Sequence, residues 1–313
     1  MKQTIPVADL LDFTSGDDAR RAKFVSTVGE ALEDIGFFAL ENHGVDLSLI
    51  RRSYDLAAEF FDLQTDAKRA YEKDSFQGQR GYTSFGKEHA KGQPAPDLKE
   101  FWHVGREMPD DERPDGMRPN VWPDELPKFQ PTMLELYRQL DGCAASLLEA
   151  CSVYLGEDSE LLPGAANGGD TILRIIHYPP VEPDANPASI RAGAHEDINF
   201  ITLLCESTDA GLELLERDGT WRPVHSLGGQ IIVDSGDMIQ NLTNGRFKST
   251  THRVVNPNND RNRRFSMPFF VHPRPEVDLT PLASCGAASE TGEYKSMSAR
   301  AYLLQRLREI GLA

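Results

Sequence analysis

The apolar positions of this chain change period about halfway along it. Near the N-terminus they recur at helical spacing. Phe24, Val28, Ala31, Leu32 and Ile35 share one face of a run that starts at Asp17 and stops at Gly36. "IPVADLLDF", before that run, reads as a short extended opening limited by Pro6. "FFALENHGV", after it, reads as a short buried strand ending in a turn at Asn42, His43 and Gly44. Ile50, Tyr54, Ala57, Ala58 and Phe61 predict a second helix over Leu47 to Phe61. Residues 74 to 131 are rich in Gly, Pro and charge, with few long periodic runs. They are expected to form a long looped region, a kind of segment that tends to carry function. A further helix is predicted from Met133 to Leu155, stopped by Gly156.

Beyond residue 168 the runs shorten. "TILRIIHY", "NFITLLCE", "LELLE", "WRPVHSL", "QIIVDSGDMIQNLT", "STTHRVVN" and "RRFSMPFFVHP" are apolar or alternating, and Gly, Pro, Asn and Asp separate them. Many short strands at such spacing predict a β-sandwich, jelly roll or barrel. The tail from Ser298 to Leu312 returns to helical period, with Ser298 as its N-cap. The expected organisation is one structural unit in three parts. A helical and looped region over 1–160 packs on a β core over 168–275, and 276–313 adds an extension and a closing helix.

Charge narrows the partners. A formal charge of −16 repels nucleic acid phosphates and anionic membranes, so a small-molecule partner is expected and neither polyanion nor membrane is. The four cysteines, at 143, 151, 205 and 285, form no CxxC pair and read as small residues in a reducing compartment. The N-terminus shows no secretory pattern and no run reaches about 18 apolar residues, so a cytoplasmic protein is expected.

The candidate chemistry lies in "AGAHEDINF". His195 and Asp197 are two apart and share a face if this piece is extended. An imidazole nitrogen and a carboxylate oxygen can then bind one metal. A third ligand is available in His252 of "STTHRVVN", 55 residues past Asp197. Two histidines and one carboxylate leave neighbouring positions open, an arrangement that suits non-haem Fe(II). A lone His-x-Asp is weak, and its company strengthens it. Arg264 and Ser266 in "RRFSMPFF" alternate on one strand face, and a guanidinium fork beside a hydroxyl is built to hold a carboxylate. His43, His89, His103, His225 and His272 read as turn, surface or core residues, and His177 as structural or as support for the site.

With these motifs in hand, the chain resembles the isopenicillin N synthase-like branch of the Fe(II)- and 2-oxoglutarate-dependent oxygenases. "IPVADL" and "ALEDIGFFALENHGV" resemble that family's N-terminal region, and "RGYTSFG" with "DLKEFW" its middle. "LRIIHYPP", "AGAHEDINFITLL", "GLELLERDGTWRPV", "GQIIVDSGDMIQNLTNGRFKSTTHRVV" and "RRFSMPFF" follow its catalytic region in order. The resemblance implies a distorted double-stranded β-helix, or jelly roll, flanked by helices. It implies that His195, Asp197 and His252 bind iron and that Arg264, Ser266 and Tyr178 bind the far carboxylate of 2-oxoglutarate. It further implies that O₂ is consumed with release of succinate and CO₂ as a small metabolite is hydroxylated. Tyr82, Phe85, Phe101 and Phe270 are the expected substrate wall. The chain departs from the family in carrying Ile176 where many members have Asn, Asp234 where Asn is common, and Glu213 where Gln is frequent. These three are expected near the cavity, where two readings stay open: they tune the substrate, or they are neutral.

Other readings stay open at this point. Isopenicillin N synthase itself uses no 2-oxoglutarate and cyclises a peptide oxidatively, and an ethylene-forming variant exists. A zinc hydrolase is a rival from another class, disfavoured by the lack of HExxH and by Arg264 with Ser266. A non-catalytic small-molecule binder is another, disfavoured by the presence of all three ligand positions.

Overall fold

Side-chain caps start the early helices where the sequence places them. Asp17 accepts from the amides of Ala19 and Arg20, and Asp46 from that of Ser48. Their helices then bury one face each, through Phe24, Val28 and Leu32 in one and Ile50, Ala57 and Phe60 in the other. The structure is a computed structural model and describes residues 5–76, 78–87, 97–180, 191–225, 228–256, 262–286 and 294–309. His89 and Arg261 lie outside the described residues.

In chain order the first part runs β1 (Val7–Asp9), α1 (Leu10–Thr14), α2 (Asp18–Asp34), β2 (Phe37–Glu41), α3 (Leu47–Phe61), α4 (Thr65–Arg69), β3 (Gly81–Thr83), β4 (Glu100–Gly105), α5 (Phe129–Tyr154) and α6 (Leu161–Ala166). The second runs β5 (Ile172–Tyr178), β6 (Ala192–His195), β7 (Ile201–Leu204), β8 (Leu212–Leu215), β9 (Trp221–Pro223), β10 (Ile231–Ser235), α7 (Asp237–Leu242), β11 (His252–Val254), β12 (Arg264–Ser266), β13 (Pro268–Val271) and α8 (Ala299–Glu309).

The strands form two sheets of a jelly roll. The larger has the order β1-β2-β10-β7-β13-β5-β4-β3, with β12 also paired to β5. The smaller has the order β6-β11-β8-β9. The N-terminal part thus adds strands to the β core as well as helices to its back. Buried Met133, Leu136, Leu140, Leu147 and Leu148 of α5 sit in one continuous core with Leu173, Leu203 and Phe269 of the larger sheet. Among the described residues, no helix is long and apolar enough to cross a membrane.

In its secondary structure the chain departs from the sequence reading at the opening, within 74–131 and in "QIIVDSGDMIQNLT". The opening is only briefly extended, because the Asp9 side chain accepts from Leu11 N and turns "LLDFT" into α1. Within the expected loops of 74–131 lie β3 and β4, and β4 is buried along its whole length. Its pattern misleads because two of its polar residues, Glu100 and His103, are buried against polar partners on other elements. "QIIVDSGDMIQNLT" is a strand only as far as Ser235, and after Gly236 it becomes α7. The last helix starts as expected, with Ala301 N donating to Ser298 Oγ over 3.2 Å.

Candidate metal centre and its cavity

His195 ends β6 and His252 begins β11, and the antiparallel pairing sets the two directly opposite each other. Their ring centroids are 4.4 Å apart. The pairing is irregular: Val254 faces Ala192, so β6 spends one residue more than β11 between the two matched pairs. This bulge re-aims the strand. Ala192 and His195 are three apart, yet both line the same cavity as His252 and Val254. The bulge amide of Gly193 is not lost to solvent. It donates to Asp97 Oδ1 over 3.0 Å, and Asp97 is held by Lys99 at 2.8 Å, both residues being buried.

Each imidazole is oriented by its own strand. His195 Nδ1 meets the carbonyl of Gly193 at 2.7 Å, and His252 Nδ1 that of Thr250 at 3.1 Å. A carbonyl only accepts, so each ring carries its proton on Nδ1 and presents a lone pair at Nε2. Both Nε2 atoms stand 3.8 Å from Asp197 Oδ1. Desolvation in the cavity, followed by the His252 ring, pushes the His195 pKa down, which keeps it neutral and able to bind a metal at pH 7.

Asp197 is not on the strand with His195, as the His-x-Asp spacing predicts. β6 stops at His195, and Asp197 sits in the loop leading to β7. The turn from β10 into α7 fixes this loop instead. Gly236 N donates to Phe200 O (2.9 Å), Asp237 N to Asp197 O (2.7 Å) and Met238 N to Ile198 O (3.1 Å). A Cβ on Gly236 would meet Asn199 O at 2.5 Å and Asp197 O at 2.8 Å, so glycine permits the close approach. The carboxylate is oriented by a relay in which Asn199 Nδ2 donates to Thr202 Oγ1 (3.0 Å) and Thr202 Oγ1 donates to Asp197 Oδ2. Oδ1 is left facing the two imidazoles.

The donor atoms of His195, Asp197 and His252 all lie within 4.8 Å of one another. An ion about 2.1 Å from each donor needs them roughly 3 Å apart when the bonds are at right angles. The observed spacing is slightly wider, and the donor set of two neutral imidazoles and one carboxylate matches the non-haem Fe(II) facial pattern.

The cavity wall continues onto the larger sheet. In the β12–β5 pairing Arg264 stands opposite Tyr178, and Ser266 opposite Ile176, and all four line the cavity. Arg264 is 1% exposed, and its guanidinium lies 4.9 Å from the Tyr178 ring centroid. Its Nε donates to the Asp209 carbonyl over 3.1 Å, while Nη1 is buried with no hydrogen-bond partner among the described residues. The Asp209 carboxylate itself pairs with a second buried cation, Arg191, at 3.3 Å. A buried guanidinium with an unused donor is costly unless an anion completes it. The residues present therefore fit both a metal and a carboxylate ligand.

The expected substrate residues divide. Phe270 lines the cavity. Tyr82 is turned away, with its hydroxyl on Glu100. Phe85 is 43% exposed and Phe101 packs with Ile176 and Tyr178; neither is in the wall of this cavity. Of the three departures, Ile176 and Asp234 line the cavity. Glu213 is across from Arg253 in the β8–β11 pairing and bonds it at 2.8 Å, outside the cavity wall, because β8 presents Leu212 there instead. Burial, and next the Asp197 carboxylate beside it, push the Asp234 carboxyl well above the usual range. His43, His103, His177 and His272 each hold a polar partner outside the metal donor set. Sequence reasoning missed Asp97, Lys99, Thr202, Gly236 and Arg174. Only Gly236, in "DSGD" between a strand and a helix, carried a local signal.

Comparison with known proteins agrees with this geometry. Residues 5–125 match a family model described as the N-terminal part of non-haem dioxygenases in morphine synthesis, and residues 169–273 match the 2OG-Fe(II) oxygenase superfamily. A 2-oxoglutarate-Fe(II) type oxidoreductase, hxnY of Emericella nidulans, is 31% identical over 300 residues, covering 92% of this chain and 85% of that one. A solved structure of a Caulobacter crescentus protein described as 2OG-Fe(II) oxygenase family is 37% identical, with a TM-score of 0.87 and coverage of 99% and 100%. A full-length Neurospora crassa protein, solved in complex with alpha-KG and thymine, is 27% identical, with a TM-score of 0.87 and coverage of 98% and 97%.

Proposed function

The chain belongs to the 2OG-Fe(II) oxygenase superfamily, and from that premise we propose that His195, Asp197 and His252 hold its iron while Arg264, Ser266 and Tyr178 hold the far carboxylate of 2-oxoglutarate. It is a non-haem Fe(II)- and 2-oxoglutarate-dependent dioxygenase that uses O₂. The proposed outcome is hydroxylation of a small molecule. Bound iron supplies the activation of O₂, coupled to conversion of 2-oxoglutarate into succinate and CO₂.

The observation that carries the residue assignment is the buried Nη1 of Arg264, without a partner among the described residues and in the same wall as the three metal donors. A dicarboxylate anchored there would share one cavity with the three metal donors. The chain's own part is to orient and to enclose. Gly193 and Thr250 hold the imidazole tautomers, Thr202 aims the carboxylate, and the apolar wall of Ile176, Leu204, Leu212 and Phe270 limits water around the reacting groups. A cytoplasmic setting without nucleic acid or membrane partners is part of the proposal, supported by the acidic surface and by cysteines 143, 151, 205 and 285, all free.

The test is anaerobic Fe(II) binding by equilibrium dialysis, followed by succinate release when air is admitted with 2-oxoglutarate. Wild type is expected to bind one iron and release succinate. Arg264→Ala is expected to keep the iron and to need roughly tenfold to hundredfold more 2-oxoglutarate, from loss of a charge-assisted carboxylate bond. Iron binding with an unchanged 2-oxoglutarate requirement would move the cosubstrate site elsewhere.

A further inference from the structure

α8 turns one stripe of its surface inward. Ala299 is buried, and Tyr302 and Leu303 pack on the main core. Positions 299, 302, 303 and 306 share a helical face, so the stripe calls for another apolar side chain at 306. The chain puts Arg306 there. Acids from the surroundings of the metal centre receive its guanidinium. Nη2 stands 2.9 Å from Asp237 Oδ2 and 3.8 Å from Glu196 Oε2, while Nη1 donates to Glu309 on its own helix over 2.9 Å.

The first two acids are each one step from a proposed metal ligand. Glu196 lies between His195 and Asp197 in the chain, and Thr251, which precedes His252, donates to its Oε1. Asp237 is buried, and its amide donates to the carbonyl of Asp197 over 2.7 Å. Glu196, Asp197 and Asp237 thus bring three carboxylates to one small region. Their mutual repulsion would push the segment apart, and a cation between two of them offsets it. The C-terminal extension is fastened to the same turn a second time, because Asn241 of α7 donates to the carbonyls of Leu279 (2.7 Å) and Lys295 (3.0 Å).

We propose that Arg306 is a positioning residue of the metal centre. By holding Glu196 and Asp237 on one guanidinium it sets the segment that carries His195 and Asp197, so iron binding and docking of α8 stabilise each other. This rests on reading His195, Asp197 and His252 as the iron ligands. It gives the closing helix a part in the site although it contributes no residue to the cavity wall. Contacts of this kind, one layer behind the ligands, typically carry tenfold to hundredfold in metal affinity.

The experiment is anaerobic equilibrium dialysis of the whole protein against Fe(II). Arg306→Ala is expected to bind Fe(II) roughly tenfold to hundredfold more weakly than wild type. Removing a positive charge near a cation site would by electrostatics alone tighten binding, so weaker binding reports geometry. Arg306→Lys, which keeps the charge and loses the fork, should recover part of the affinity. Arg308→Ala, the same charge change at an exposed position of the same helix, should leave it as in wild type. Coupling is reciprocal, so Fe(II) should also slow amide hydrogen exchange over 299–309 of wild type by a similar factor, measured without denaturant, where an end helix opens locally. Equal or tighter Fe(II) binding by Arg306→Ala overturns the proposal, as does an equal loss in Arg308→Ala, or exchange over α8 that Fe(II) leaves unchanged. If Arg306→Ala does not fold, the exchange measurement on wild type decides. Failure of wild type to bind Fe(II) overturns the iron reading as well, whereas wild-type binding that Arg306→Ala leaves intact overturns this inference alone.

Discussion

The two faces of β5 look onto two clusters of the same residue types, and they behave as opposites. On the outer side, Glu100 is 1% exposed and accepts from Lys68 Nζ at 2.8 and 3.0 Å, from Tyr82 OH, and from His177 Nδ1 at 2.8 Å. Both carboxylate oxygens there have donors, and the Lys68 charge balances the carboxylate. On the cavity side, Asp197 faces two imidazoles whose protons have gone to backbone carbonyls. Among the described residues, no lysine or arginine pairs with the Asp197 carboxylate. A histidine beside a carboxylate therefore says little by itself. What separates a structural cluster from a metal site is where the protons point and whether the chain supplies its own counter-charge.

The largest expected effect breaks the cavity side. Asp197→Ala should abolish iron binding and succinate release, while the metal-free protein melts no lower than wild type, because a carboxylate without a counter-cation is removed. A marked fall in the melting temperature of the metal-free variant would mean that Asp197 is structural in the way Glu100 is.

Breaking the outer cluster should do the reverse. Glu100→Ala leaves Lys68 buried and unpaired, a change of about 3–5 kcal/mol in stability. Urea unfolding would read it, and iron affinity measured on the remaining folded protein should be nearly unchanged. A loss of iron affinity comparable to that of Asp197→Ala would join the two clusters into one functional unit.

A smaller effect sharpens the boundary between them. Asp97→Ala removes the acceptor for the Gly193 amide, and Gly193 orients His195, so iron affinity should fall roughly tenfold to hundredfold, and because buried Lys99 loses this carboxylate the protein should lose stability as well. Unchanged affinity would show that the bulge holds without Asp97.

The smallest effect is in pH. Burial pushes the His177 pKa down, against the opposing pull of Glu100, and His43 and His272 are also lowered, burial being the main cause in each. The unfolded chain then binds more protons than the folded one once pH falls below about 6.5. Stability from these groups is fully present above that pH and is lost as pH falls towards the depressed folded values, by at most about 1.4 kcal/mol per unit for each group. Glu100 is lowered too, its bonds from His177, Lys68 and Tyr82 outweighing burial, and its contribution is lost only below about pH 4.3. Melting curves at pH 8, 6 and 5 check this, and a flat profile would contradict it.

What could be read from the sequence follows from the range of each signal. The jelly-roll core was legible because its strands are short apolar runs with turn residues between them, a pattern local to each run. His195 and Asp197 were legible as neighbours, although a loop and not a shared strand face brings them together. The outer cluster was not legible. Glu100 lies 32 residues from Lys68 and 77 from His177, and no periodicity marks a buried pair at such distances. β4 was missed for the same reason, because its buried polar residues make the strand look like loop. The substrate wall was read from aromatic residues in the right neighbourhood. The hydroxyl bond to Glu100 then took Tyr82 out of it, and nothing local to "LRIIHY" announced that Arg174 would face inward.

The bulge in β6 changes which genetic events this site tolerates. Ala194 is exposed, and its side chain lies outside the cavity wall, so substitutions there should pass unnoticed. Deleting it is another matter. With one residue fewer, Ala192 and the histidine would stand two apart, as Val254 and His252 do, so both would still share a face; what is lost is the bulge whose Gly193 amide donates to Asp97. The support behind the imidazole is thus encoded partly as a count of peptide units, a quantity that scores of residue similarity overlook and that one lost codon would change.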